Sequence, residues 1–102
     1  MSDLSVADQD FQRYVTDVVW STWARPGLSR RERSLIVLAM SAALSQMPEF
    51  ELHVVGAVRN GLAEHDLREL VMQVVAYCGA PAGVQAKRAL MRALDGMADQ
   101  PG

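Results

Sequence analysis

Apolar residues recur at intervals of three and four along almost the whole chain. Phe11, Val15, Val18, Val19 and Trp23 follow that spacing, which predicts an amphipathic helix ending near Ala24. Arg25-Pro26-Gly27-Leu28 interrupts it, because proline drives the residue before it out of helical geometry and glycine permits a turn. Ser29, followed three residues on by Glu32, makes a capping box and starts a second helix. Leu35, Ile36, Leu38, Ala39, Ala42 and Ala43 carry that helix to about Ser45, and its small residues let a neighbour approach closely. Pro48 suits the first turn of a third helix with Phe50, His53, Val54, Ala57 and Val58 along it. Gly61 is its natural terminator. The fourth helix runs from near Glu64 to Tyr77, with Leu67, Leu70, Val71, Val74, Val75 and Cys78 at helical spacing. The β-branched pair Val74-Val75 would also suit a short strand, but the period favours helix. Gly79 closes this segment, and Pro81 opens a fifth helix through Val84, Leu90 and Leu94 that frays after Gly96. The expectation is an all-α single domain of about five helices, its core spanning residues 11–96, with the short connections of a helical bundle.

Composition narrows the class. A chain of 102 residues is one domain, and half of its residues are hydrophobic, enough for a core. So short a chain still buries a modest fraction of its surface, and association with further copies would help it. A net charge of −2 gives no reason to expect nucleic acid or an acidic membrane as partner. No apolar run approaches a membrane span, and no basic start with an apolar run follows Met1, so the cytoplasm is the expected compartment. Cys78 is the only cysteine, which rules out an internal disulfide and a cysteine-rich metal site. Of the two histidines, His65 lies in the charged run Glu64-His65-Asp66, typical of an exposed helix start. No metal is therefore expected, although Glu49 with His53 could supply part of a site.

Two features carry chemistry. Glu49 and His53 stand four apart in the third helix, which puts a carboxylate and an imidazole on one face, about 5–6 Å apart at Cβ. Such an imidazole can hold a proton near neutral pH and give it to a reacting carbon. The same spacing also makes an ordinary surface ion pair, and Glu49 alone would suit a helix N-terminal dipole. The second feature is arginine. Lys87 is the only lysine among ten basic residues, and Arg25, Arg30, Arg31 and Arg33 cluster around the start of the second helix. Forked guanidiniums clamp carboxylates in two-point contacts that lysine cannot make. The same residues also read as a solvated helix start, with Arg33 free to staple helices through Asp17 or Glu69. Trp20 and Trp23 read as core or interface residues rather than a substrate platform.

Several blocks in order make a more specific signal. They are the string from Trp20 to Leu35 containing Arg25-Pro26-Gly27-Leu28-Ser29-Arg30-Arg31, then Glu49 and His53, Arg59-Asn60-Gly61, Glu69, Gln73, and Tyr77-Cys78-Gly79-Ala80-Pro81. Over roughly Phe11 to Leu90 the chain resembles the carboxymuconolactone decarboxylase family. That resemblance implies the alkylhydroperoxidase D-like helical bundle, and a homo-oligomer, hexamer or trimer. The Arg-Pro-Gly-Leu and Tyr-Cys-Gly-x-Pro segments look most like the true decarboxylases of the family. Members usually carry another helical segment before the part matching Phe11, so a compact homologue, a trimmed chain or a domain cut from a fusion is expected. The peroxidase branch of the superfamily carries Cys-x-x-Cys four residues before a histidine. Aligning that histidine with His53 puts Gln46 and Glu49 at the cysteine positions, so dithiol chemistry is not expected.

The resemblance implies decarboxylation of 4-carboxymuconolactone to the β-ketoadipate enol-lactone in aromatic catabolism, with no cofactor. The electron pair left by carbon dioxide can delocalise through the adjacent double bond onto the lactone carbonyl. The substrate is then its own electron sink, and the protein must hold a dianion, stabilise an oxyanion and deliver a proton. On this reading Arg33 and Arg30 bind the retained carboxylate, with Arg25 behind them. His53 is the proton donor or the oxyanion's partner, and Glu49 fixes its tautomer and raises its pKa. Tyr77 donates to the lactone carbonyl, and Cys78 lines the pocket. The alternatives are a paralogue acting on another lactone or β-keto acid, and a non-catalytic oligomerisation or ligand-binding module.

Overall fold

The computed structural model describes residues 5–99, and among them five helices and no strand. They are α1 (Val6–Trp23), α2 (Arg30–Ala43), α3 (Met47–Arg59), α4 (Glu64–Cys78) and α5 (Ala80–Ala98). The fold is all-α as the spacing predicts, and Val74-Val75 lies within α4. No described helix is long and apolar enough to cross a membrane.

Local chemistry sets the helix ends. At α2 the Ser29 hydroxyl accepts from the Glu32 N–H at 3.0 Å, and the Glu32 carboxylate accepts from the Ser29 N–H at 2.8 Å. Before α4 stands Ala63, which has no side-chain acceptor. There the Asp66 carboxylate takes the Ala63 N–H at 2.8 Å and also pairs with Arg31 at 2.8 Å, tying the start of α4 to α2. Both carboxyls are held below their ordinary range, Glu32 chiefly by the Ser29 N–H and Asp66 chiefly by the Ala63 N–H. A depressed folded-state pKa contributes stability that is present above the ordinary value and lost as pH falls through the depressed one. The stability gap between the protein and an Asp66→Asn variant should therefore be full at neutral pH. It should close as pH falls below the usual aspartate value of 3.8, which urea unfolding at stepped pH would register.

α2 and α3 end in the same way. The Gln46 N–H bonds the Ser41 carbonyl and the Ser45 N–H bonds the Ala42 carbonyl, the paired closure that needs one left-handed residue. In α3 the corresponding bonds run from Leu62 to Ala57 and from Gly61 to Val58. Gly61 takes the left-handed position with φ 99°, whereas in α2 it falls to Ser45 with φ 57°. A side chain is strained there, so Ser45→Gly should stabilise the protein by about 0.5–1 kcal/mol once the added freedom of the unfolded chain is offset. A thermal melt of the two proteins side by side checks this.

The core is built from α2 to α5. Leu38 and Ala42 meet Phe50, Val54 and Ala57, and behind them pack Leu67, Leu70, Val74, Ala86, Ala89 and Leu90. α4 and α5 are joined through Gly79 and lie so close that Gly83 touches Val75 with no room for a side chain. α1 differs. It forms as predicted, with Ser5 capping it through the Asp8 N–H, yet no residue of it is buried. Trp20 is 66% exposed and Trp23 half-buried, so neither tryptophan belongs to the core. Periodicity marks a helix with an apolar face and is silent about what covers it.

Candidate active site

A cleft of about 710 Å³ opens where the end of α1, the start of α2 and the outer face of α3 converge. Helical spacing decides which side chains reach it. Arg30 and Ser34 lie one turn apart on α2, and His53, Gly56 and Asn60 fall at intervals of three and four on α3 and its cap. Arg59 joins them from the last turn of α3, and Val19, Trp20 and Trp23 of α1 close the apolar side. Gly56 leaves open space where a Cβ would stand. Two guanidiniums and an imidazole thus face the cleft, and among the described residues no carboxylate lines it. Such a wall attracts and orients anions, and its field is strengthened by low-dielectric indole on the other side.

Within the cleft Ser34 is buried at 3% exposure. Its Oγ accepts from the Asn60 amide, Nδ2 to Oγ 3.0 Å, which joins α2 to α3. The Asn60 amide takes one acceptor site of that oxygen, and a serine hydroxyl also carries one proton to donate. Ser34 and Asn60 were legible only as parts of motif blocks; their spacing from Arg30 and His53 is the signal that could have picked them out.

The other expected site residues divide. Glu49 stands beside His53 at 3.8 Å, Oε2 to Nε2, with both side chains substantially exposed. That is an ion-pair distance, too long for the hydrogen bond that would fix a tautomer. Arg33 turns away from the cleft and donates from Nη2 to the Arg25 carbonyl at 3.0 Å, pinning the turn before α2, while its Nε is buried without a partner. Arg33 reaches neither Asp17 nor Glu69, and Arg25 contributes backbone here, its side chain lying outside the cleft lining. Tyr77 and Cys78 stand apart from this cleft. Tyr77 is 82% exposed, Cys78 is exposed, and neither lines the cleft with His53. The cause is length: the buried stripe of α4 ends at Val74, and the last turn runs past the core into solvent. Among the described residues no group of three or more His, Cys, Asp or Glu side chains is gathered as a metal site.

An all-α domain with a cationic cleft between its second and third helices is the class that fold and site define. The sequence profile of the Carboxymuconolactone decarboxylase family matches residues 9–92, and the chain belongs to that family. It is 36% identical over 90 residues to the nitrosuccinic acid decarboxylase of Metarhizium robertsii, covering 87% of this chain and 63% of that one. It is 35% identical over 83 residues to the 4-carboxymuconolactone decarboxylase of Acinetobacter baylyi, covering 80% of this chain and 62% of that one. The chain thus spans a little under two thirds of the length of these curated relatives.

Proposed function

We propose that this protein is a carboxy-lyase acting on a small dicarboxylate whose departing carboxylate is attached to a carbon conjugated with an electron sink. The observation that carries this reading is the cleft itself, with Arg30, Arg59 and His53 around it and no acidic side chain among its described lining. Both relatives are named for acids that fit the description. In 4-carboxymuconolactone the sink is the unsaturated lactone, and in nitrosuccinic acid it is the nitro group. Of the two, the lactone is the reading favoured here, because the wide apolar wall of Trp20 and Trp23 suits a flat ring better than a short chain.

Each polar residue of the cleft has its part in this reaction. Arg30 and Arg59 hold the retained carboxylate and steer the dianion inward. The departing carboxylate lies toward the apolar indole faces, away from the guanidiniums, and leaves as neutral carbon dioxide. Its electron pair moves through the ring double bond onto the lactone carbonyl oxygen. The Ser34 hydroxyl, polarised by Asn60, donates to that oxygen as charge develops on it. Protonated His53 then delivers a proton to the carbon beside the carbonyl, which restores the carbonyl and gives the enol-lactone. The His53 side chain, 40% exposed, takes its next proton from solvent, and the Glu49 carboxylate stands one turn away as its ion-pair partner.

Freshly prepared 4-carboxymuconolactone and nitrosuccinate, offered separately, test this reading. Absorbance loss with one equivalent of carbon dioxide from the lactone is the expected result. Turnover of nitrosuccinate alone would move the substrate assignment to the nitro acid, and carbon dioxide from neither would remove the decarboxylase reading.

A further inference from the structure

Gly56 is the one position of the cleft wall without a side chain, and neither backbone nor packing calls for that. Its φ lies outside the positive range that Gly61 and Gly79 occupy, and its carbonyl accepts the Asn60 N–H at 2.9 Å as in any helical turn. A Cβ added there would meet no atom within 4 Å, in contrast to Gly83, where Val75 stands in the way. Alanine is the strongest helix former and glycine among the weakest, so the residue weakens α3 with no gain to the fold. Gly96 also has open space beside it, but it stands in the last turn of α5, away from the cleft.

The neighbours of Gly56 give its absent side chain a use. His53 is three residues before it, Arg59 three after and Asn60 four after, so Gly56 lies at the centre of the face that α3 turns to the cleft. Trp20 and Trp23 form the apolar side. Between His53 and the end of α3 the cleft is therefore walled by bare backbone with polar side chains around it. A flat ring can lie against bare backbone and present its other face to an indole, while its substituents reach those polar groups. A side chain at position 56 would stand where the ring lies. An open-chain diacid can bend around such a side chain and keep its carboxylates on Arg30 and Arg59.

We propose that Gly56 is the specificity-determining position of this cleft. Its bare backbone admits dicarboxylates built on a flat ring, and a bulky residue there leaves a site for open-chain diacids alone. This deepens the decarboxylase reading and rests on it for the reaction the cleft serves, while binding can be measured without turnover.

Calorimetric titration of the full chain with two unreactive dianions tests this, phthalate carrying a flat ring and succinate an open chain. The unmodified protein should bind both saturably. Gly56→Ala should weaken phthalate by roughly tenfold and Gly56→Leu by roughly a hundredfold, with succinate changed by no more than about twofold in either. Gly56→Ala should also melt about 3–8 °C higher, because its methyl meets nothing and favours the helix. General damage would lower the melt and weaken both ligands, so the two readouts separate specificity from instability. Equal weakening of both dianions, phthalate affinity unchanged in Gly56→Leu, or a lower melt for Gly56→Ala would overturn the proposal. Phthalate that fails to bind the unmodified protein where succinate binds would overturn it too, and leave the cationic cleft standing. Carbon dioxide release is a separate measurement, so a protein that binds as expected but turns over neither acid would lose the decarboxylase reading alone.

Discussion

A His53→Ala variant is expected to lose about 10²–10⁴-fold in kcat, the range for removing a positioned proton donor. Its fold should survive. His53 lies mid-helix with its side chain 40% exposed, and alanine is the strongest helix former, so the far-UV spectrum should not change. His53→Gln divides two roles that the geometry allows. Glutamine keeps a hydrogen-bond donor at the position but cannot release a proton. If His53 acts as proton donor, the Gln variant should be as slow as the Ala variant. If it only steadies the oxyanion, the Gln variant should recover much of the rate. Full turnover in both would take His53 out of the chemistry altogether.

Gly83→Ala should be the most damaging small change to stability. A Cβ there would overlap the Val75 Cγ2 methyl and stand 3.3 Å from the Val75 backbone, so α4 and α5 would have to part. Overpacking of this kind costs about 1–3 kcal/mol, and a domain of this size loses about 4–8 °C in Tm for each kcal/mol. Val75→Ala in the same chain removes the overlapping methyl but leaves the two backbones pressed together, so it should return part of the loss. A Gly83→Ala protein that melts with the unmodified one would mean that the helices are not so closely packed.

Much of the fold was legible because the core obeys one rule. The apolar stripes of α2, α3 and α4 recur at helical spacing, and Pro26, Ser29, Gly61 and Gly79 punctuate them at the right places. The rule fails where burial depends on something other than the residue's own helix. Cys78 continues the stripe of α4 in sequence, yet lies beyond the end of the core and is exposed. Phe11, Val15 and Val18 satisfy the pattern of a buried face without being buried. The site was legible in part for a similar reason. His53 and Arg30 carry chemistry in their side chains and attract notice alone. Ser34, Arg59 and Asn60 join the cleft lining because α2 and α3 pack side by side, and a single helix's period does not say which face meets which. Conversely, Arg33 looked like a ligand for anions, but its length lets it fold back onto the Arg25 carbonyl.

Trp20 and Trp23 are the two tryptophans of the chain, and both line the cleft, so its occupancy can be read directly from intrinsic fluorescence. Succinate, an unreactive dicarboxylate, is a suitable probe. Binding should be saturable, weaken as salt rises, and vanish in an Arg30→Gln/Arg59→Gln double variant that keeps its helical spectrum. No saturable change, or the same affinity in the double variant, would contradict a cationic cleft as the place where the substrate is held.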